Sequence, residues 1–191
     1  MAREIEVKIT HADFAYEELI VAISSRYELN FATQVDEIFA ATPIDVLNPT
    51  AGTVICRTRT VGDEAPILTV KRRRSHNLDR DEEEVKVESV QAITRVLALM
   101  GFGHVAQISK RRAWTRLTDE LTICIDSVDD LGVFVEIEAL IQSTSSGGYS
   151  ASEIQQALRL VDPRLADLIY RPGYSIVEKG YDTLLLEMNN S

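Results

Sequence analysis

At 191 residues the chain is one domain in size, 1–191, and long enough to bury a sizeable core. A hydrophobic fraction of 45% and a charged fraction of 26% are those of a soluble globular protein, and no apolar run reaches the ~18 residues that a membrane helix requires. The 20 Lys and Arg against 30 Asp and Glu, a formal charge of −10, argue against general adhesion to nucleic acid or to anionic membranes, though not against a locally basic cavity. The segment Met1-Ala2-Arg3-Glu4 holds no apolar signal region, so a cytoplasmic location is expected by default. Cys56 and Cys124 lie far apart in apolar patterns and read as buried, reduced thiols. His11, His76 and His104 are scattered and receive no role.

In chain order, Glu4 to Ile9 alternates, placing Glu4, Glu6 and Lys8 on one face of a strand and Ile5, Val7 and Ile9 on the other. Asp13 is expected to cap a helix over 13–26. Gln34 to Phe39 reads as a second strand ended by Thr42-Pro43, and 47–52 as a turn. Thr53 to Thr60 is strongly β-prone, with Arg57 and Arg59 on one face, and Ile67 to Lys71 returns antiparallel. The run Arg72-Arg73-Arg74, offset by Asp81 to Glu84, reads as a charged hairpin tip. Glu84 to Glu88 alternates again. Ser89 is expected to cap a helix whose core stripe is Ile93, Val96, Leu97 and Met100 and which Gly101 ends. A strand from Lys110 puts Lys110, Arg112 and Trp114 on one side; Leu121 to Asp126 follows, then Leu131 to Glu138 with Glu136 and Glu138 together. Ser143 to Gly148 is a loop, Ser152 caps a helix carrying Ile154, Leu158 and Val161, Pro163 and Pro172-Gly173 break the chain, and Tyr181 to Met188 forms a last helix.

About eight strands joined mainly by hairpins predict an antiparallel barrel or strongly curved sheet of α+β class, with helices covering its apolar outside. At least six strands carry a charged face built from Arg, Lys, Asp and Glu. One such face reads as solvated surface; repeated on most strands, it reads as a barrel lining. Carboxylates suit hard Mg²⁺ or Mn²⁺, which complete their shell with phosphate oxygens. Arg and Lys suit those phosphates directly. The combination is the one phosphoryl chemistry requires.

Glu4-x-Glu6-x-Lys8 resembles the ExExK signature of the CYTH superfamily, the triphosphate tunnel metalloenzymes. In order along the chain, Gln34-x-Asp36 with Phe39 and Pro43, Arg57-x-Arg59, Leu68-Thr69-x-Lys71, Arg80-x-Glu82-x-Glu84, Lys110-x-Arg112, the run Asp126 to Glu138, and Lys179 to Leu185 resemble that superfamily's further motifs. The run Asp126 to Glu138 is the most specific, and it points to the class IV adenylyl cyclase branch. Ile38, where the superfamily often has Tyr, and Gly180, where it often has Ser, are departures that bear on base recognition.

The resemblance implies a closed eight-stranded tunnel whose lumen holds the charged residues. It implies triphosphate binding by Lys8, Arg57, Arg59, Lys71, Lys110 and Arg112. Metal ligation by Glu4, Glu6, Asp126, Glu136 and Glu138 follows, with Glu82 and Glu84 as further lumen residues and Glu4, Glu6 and Lys8 as the catalytic strand. Lys8, set among carboxylates, is expected to stay charged and to act on phosphate. Glu136-x-Glu138 is the expected partner of the first strand across the lumen. The implied reaction converts ATP to cyclic AMP and pyrophosphate with Mg²⁺ or Mn²⁺. The alternative readings are hydrolysis of tripolyphosphate, a nucleoside triphosphate or thiamine triphosphate at the same site, and a non-catalytic polyphosphate-binding module. The expected partner is thus a triphosphate small molecule, ATP or tripolyphosphate, with neither nucleic acid nor membrane; a homodimer would need a surface other than a strand edge.

Overall fold

The computed structural model describes residues 2–73, 80–142 and 151–190. Its strands are β1 (Ala2–Thr10), β2 (Asn30–Ala40), β3 (Val54–Val61), β4 (Ile67–Arg73), β5 (Arg80–Lys86), β6 (Gly103–Arg116), β7 (Leu121–Val128), β8 (Gly132–Gln142) and β9 (Ser175–Val177). The helices are α1 (Tyr16–Ser24), α2 (Pro43–Leu47), α3 (Val90–Leu99), α4 (Ala151–Val161), α5 (Pro163–Ile169) and α6 (Tyr181–Asn189). The strands hydrogen-bond in the order β5-β4-β3-β2-β6-β7-β8-β1-β9. The expected ring of eight is therefore corrected: among the described residues there are nine strands, and β5 and β9 end the order without pairing to close it. Local pairing explains part of this, because the short β9 takes the edge of β1 at Lys8, Ile9 and Thr10.

The chain forms two compact units. The first comprises Met1–Phe31, Arg111–Val128 and Gly132–Glu178. In it β1 and β7 flank β8 antiparallel, with Lys8 opposite Glu136 and Cys124 opposite Glu136 on the other side. The two-residue alternation sends Val7, Ile9, Ile123, Ile125, Val135 and Ile137 to one face, where they pack on Leu19 and Ile23 of α1, Ile154 and Leu158 of α4, and Leu165 and Ile169 of α5. Each of these helices presents apolar residues four apart, which is the spacing that makes one buried stripe. The apolar side of β1 is thus the helix-covered side, as its pattern predicts. The β7–β8 hairpin turns on Asp130 (φ 64°) and Gly132 (φ 99°), and a left-handed backbone suits Asp and Gly better than other residues.

The second unit comprises Ala32–Lys110, Asp129–Leu131 and Lys179–Ser191. Strands β2 to β5 pair in sequence order, with Asp36 opposite Arg59, Arg57 opposite Thr69, and Lys71 opposite Glu82. Its smaller core joins Phe39, Cys56 and Leu97 with Val54, Leu68, Val70, Ile93 and Phe102. Ser89 caps α3 by accepting from the Ala92 N–H, and Gly101 at φ 90° closes it while the Phe102 N–H returns to the Leu97 carbonyl.

The expected core stripe of α3 holds only for Leu97 and Ile93, since Val96 and Met100 are exposed. Helix α1 starts at Tyr16, behind an Ala15 N-cap, rather than at Asp13. Strand β6 begins at Gly103, seven residues before Lys110. Ser152 lies inside the first turn of α4, and Val161 is exposed. Arg74, His76 and the loop Ser143 to Gly148 lie outside the described residues.

Candidate functional site

In the first unit the face of β1, β7 and β8 opposite the helices carries the ionic groups, and it is not a solvated surface. Lys8 is 8% exposed, Glu136 3% and Asp126 0%. Buried charges persist only when paired. The Lys8 ammonium lies 2.9 Å from Glu6 Oε1 and 3.2 Å from Glu136 Oε1. Arg112 forks onto Asp126, donating from Nε at 2.7 Å and from Nη2 at 2.6 Å. Its Nη2 also meets Glu136 Oε2, and its Nη1 stands 3.6 Å from Glu138 Oε1. The Cys124 thiol donates to Glu138 at 3.6 Å.

In the ion pairs among the described residues of this unit's face, four carboxylates share two cations, which leaves that set net negative. Burial and the neighbouring Glu136 carboxylate raise the pKa of Glu6 despite Lys8. Burial works against the charged form of Lys8, but Glu136 and Glu6 outweigh it and raise its pKa, so Lys8 is a fixed cation at neutral pH. Arg112 is likewise held charged, burial being outweighed by Asp126 and Glu136. Burial and the surrounding carboxylates push the Cys124 thiol up, so it stays protonated.

The sequence reading set Glu136-x-Glu138 across a lumen from β1. The pair is instead its direct neighbour, with Lys8 opposite Glu136 and Glu6 opposite Glu138. Such cross-strand pairs touch within one sheet, and side-by-side Glu6 and Glu138 concentrate negative charge. Glu4 sits on β1 opposite Leu140, and its side chain lies outside the described residues.

In the second unit the polar face of β2 to β5 is richer in cations. Arg59 forks onto Asp36 with both bonds at 2.7 Å. Arg57 donates from Nη2 to Thr69 Oγ1 at 3.2 Å, and the Thr69 hydroxyl donates to Glu84 at 2.8 Å. Lys71 lies 3.1 Å from Glu82. Lys110, 4% exposed, sits over the Tyr181 ring at 5.1 Å.

Burial favours a neutral Asp36, but the Arg59 fork, Arg57 and Lys110 together hold its carboxyl below the usual range. Burial and the adjacent Arg59 depress the pKa of Arg57, and the Nε of Arg57 is buried without a hydrogen-bond partner among the described residues. A crowded guanidinium with an unspent donor is suited to an incoming anion.

The fold thus gathers Glu6, Lys8, Arg112, Asp126, Glu136 and Glu138 in one unit, and Arg57, Arg59, Lys71, Glu82, Glu84 and Lys110 in the other. Asp36 enters the sequence reading only as part of a motif, yet it anchors Arg59. The alternation of Gln34, Asp36 and Ile38 along β2 is the signal that places it on this face. Thr69, which links Arg57 to Glu84, likewise enters the sequence reading only as part of a motif, Leu68-Thr69-x-Lys71, whose parity puts it beside Lys71. Among the described residues no three carboxylate, imidazole or thiol groups converge as a ready metal cage. The first unit still fits a hard divalent ion by donor chemistry and by its surplus of negative charge. Mg²⁺ in particular needs only one or two carboxylates when waters and phosphates supply the remainder.

The chain belongs to the CYTH domain family, whose model matches residues 2–165. It is similar to the PH1819 protein of Pyrococcus horikoshii, at 24% identity over 97% of this chain and 99% of that one, with a TM-score of 0.68. It is also similar to a candidate adenylate cyclase of Vibrio parahaemolyticus, at 17% identity over 96% and 98% of the two chains and a TM-score of 0.62. A third likeness is to a candidate adenylyl cyclase of Hippeastrum that reveals a dominant triphosphatase activity, at 16% identity over 98% and 96% and a TM-score of 0.63. No curated protein matches the chain. These structural likenesses establish the fold.

Proposed function

We propose that the protein is a metal-dependent enzyme acting on a triphosphate, with ATP converted to cyclic AMP and pyrophosphate as the first reading. The observation that carries it is the division of charge between two ionic groups, with Lys8, Asp36, Lys110, Asp126 and Glu136 buried and Glu6, Glu82 and Glu84 exposed. One group pairs four carboxylates with two cations, and the other sets Arg57, Arg59, Lys71 and Lys110 against Asp36, Glu82 and Glu84. A metal–triphosphate complex carries both kinds of charge, a cation suited to carboxylates and phosphates suited to guanidinium and ammonium groups. Arg57, Arg59, Lys71, Lys110 and Arg112 hold phosphoryl oxygens, with the Arg57 Nε as an available donor. Glu6, Asp126, Glu136 and Glu138 hold Mg²⁺ or Mn²⁺, and Glu4 belongs to the same proposed set. When bound, the metal supplies charge neutralisation and acidifies an attacking hydroxyl or water. Lys8, locked as an ammonium, keeps Glu6 and Glu136 in place and offers a donor to phosphate.

Hydrolysis at the terminal phosphorus is the second reading, because the same charges serve any attack on a triphosphate phosphorus. Both units are taken as one CYTH domain. The chain passes between them after residues 31, 110, 128, 131 and 178, whereas few passages cross a boundary between independent domains.

Incubating the protein with ATP and Mg²⁺ or Mn²⁺ and resolving the products decides the reading. Cyclic AMP with pyrophosphate supports cyclisation, and orthophosphate supports hydrolysis. Binding of ATP without turnover leaves a binding module. Glu136→Ala is expected to abolish metal-dependent turnover and remain folded, because Lys8 keeps Glu6 and Arg112 keeps Asp126. Full activity in that variant would remove Glu136 from the metal set.

A further inference from the structure

We propose that Trp114 is the platform on which the ring system of the substrate stacks, so that the preferred substrate is a nucleoside triphosphate rather than inorganic tripolyphosphate. The proposal rests on the triphosphate reading above and names its substrate class.

Trp114 is the only tryptophan of the chain. Its neighbour Ala113 is fully buried in the helix-covered core. Strand alternation therefore turns Arg112 and Trp114 to the opposite, ionic face. The Leu117 N–H donates to the Leu121 carbonyl at 2.8 Å and closes the β6–β7 hairpin. Counting back from that bond sets Arg112 opposite Asp126, in agreement with their fork, and Trp114 opposite Cys124. Cys124 is opposite Glu136, and Glu136 is opposite Lys8. One row across four strands thus runs Trp114, Cys124, Glu136, Lys8, with an apolar end of indole and protonated thiol and an ionic end of carboxylate and ammonium.

The indole is half-buried and stands outside the hydrophobic core that takes Ala113. Bare tripolyphosphate has nothing for an aromatic surface to meet. A nucleoside triphosphate has a flat π face at one end and charge at the other, and base–aromatic stacking tolerates any base.

The test uses the full chain with Mg²⁺, recording tryptophan emission by stopped flow before turnover accumulates and measuring affinity by calorimetry. ATP is expected to quench the emission, whereas tripolyphosphate binds with little change. Trp114→Ala is expected to weaken ATP about ten- to a hundredfold more than it weakens tripolyphosphate, and Trp114→Phe to recover part of that loss. If ATP binds without changing the emission, or if Trp114→Ala weakens both ligands equally, the platform is wrong while the triphosphate reading stands. If neither ligand binds the wild-type chain, both fall. Should Trp114→Ala fail to fold, the wild-type emission and Trp114→Phe decide the matter.

Discussion

Asp36 shows how a single buried carboxylate ties folding to the ionic face. It is 5% exposed and gripped by Arg59 through two bonds of 2.7 Å. Burial alone would raise its pKa, and Arg59, Arg57 and Lys110 reverse that. An acid held below its unfolded value of ~3.9 contributes stability that is fully present above that value and lost as pH falls through the folded one. The melting temperature is therefore expected to drop on acidification from about pH 5 downward, with Asp36 as one contributor. Asp36→Asn should melt lower at neutral pH and show a shallower acid slope, read by calorimetry across that range. A variant with the wild-type slope would mean that the Arg59 fork does not carry the effect.

At the scale of elements, two of the missed features share one cause. Thr42-Pro43 reads only as the end of β2 and Pro163 only as a break, yet each proline starts a helix. Thr42 and Asp45 form a reciprocal capping box over α2, and Asp162 caps α5 by accepting from the Leu165 N–H. Proline is disfavoured inside a helix, yet it is at home in the first turn, where its missing N–H has no partner to lose. A polar cap directly before proline signals a beginning as readily as an end. Asp162 also accepts from Arg26 at 2.7 Å and from the Tyr27 hydroxyl at 3.0 Å, so one carboxylate fixes α5 and the segment after α1. Losing the cap and these bonds should cost about 2 kcal/mol. Asp162→Ala is accordingly expected to lower the denaturant midpoint with the slope unchanged; an unaltered midpoint would show that Arg26 and Tyr27 find other partners.

The same comparison shows what periodicity encodes. Alternation along β1, β3, β7 and β8 identified the ionic face, because burying Ile and Val on one side forces charge to the other. It could not order the strands. Whether Glu136-x-Glu138 neighbours β1 or opposes it depends on pairings far apart in sequence, and so does the placing of β9 on the edge of β1.

For the whole molecule, metal and triphosphate are expected to bind as coupled ligands, and thermodynamics can test this. The carboxylate-rich group alone should gain from Mg²⁺, and the arginine-rich group alone from tripolyphosphate. If the ligand is a metal–triphosphate complex, each component raises the affinity for the other, because coupling free energies are reciprocal. A ligand at a hundred times its Kd stabilises the folded state by about 2.7 kcal/mol. For a chain of this size that is a rise in Tm on the order of 5–10 °C. Thermal shifts measured with Mg²⁺, with metal-free tripolyphosphate and with both together are expected to show a combined rise larger than the sum of the two separate rises. The excess should shrink in Glu136→Ala, which removes a carboxylate, and in Arg59→Ala, which removes a phosphate donor. Free metal–tripolyphosphate complex also forms in solution, so the excess must be measured against free rather than total ligand. Strictly additive shifts would mean that metal and tripolyphosphate bind independently, and the reading of a metal–triphosphate ligand would then fail even if each bound alone.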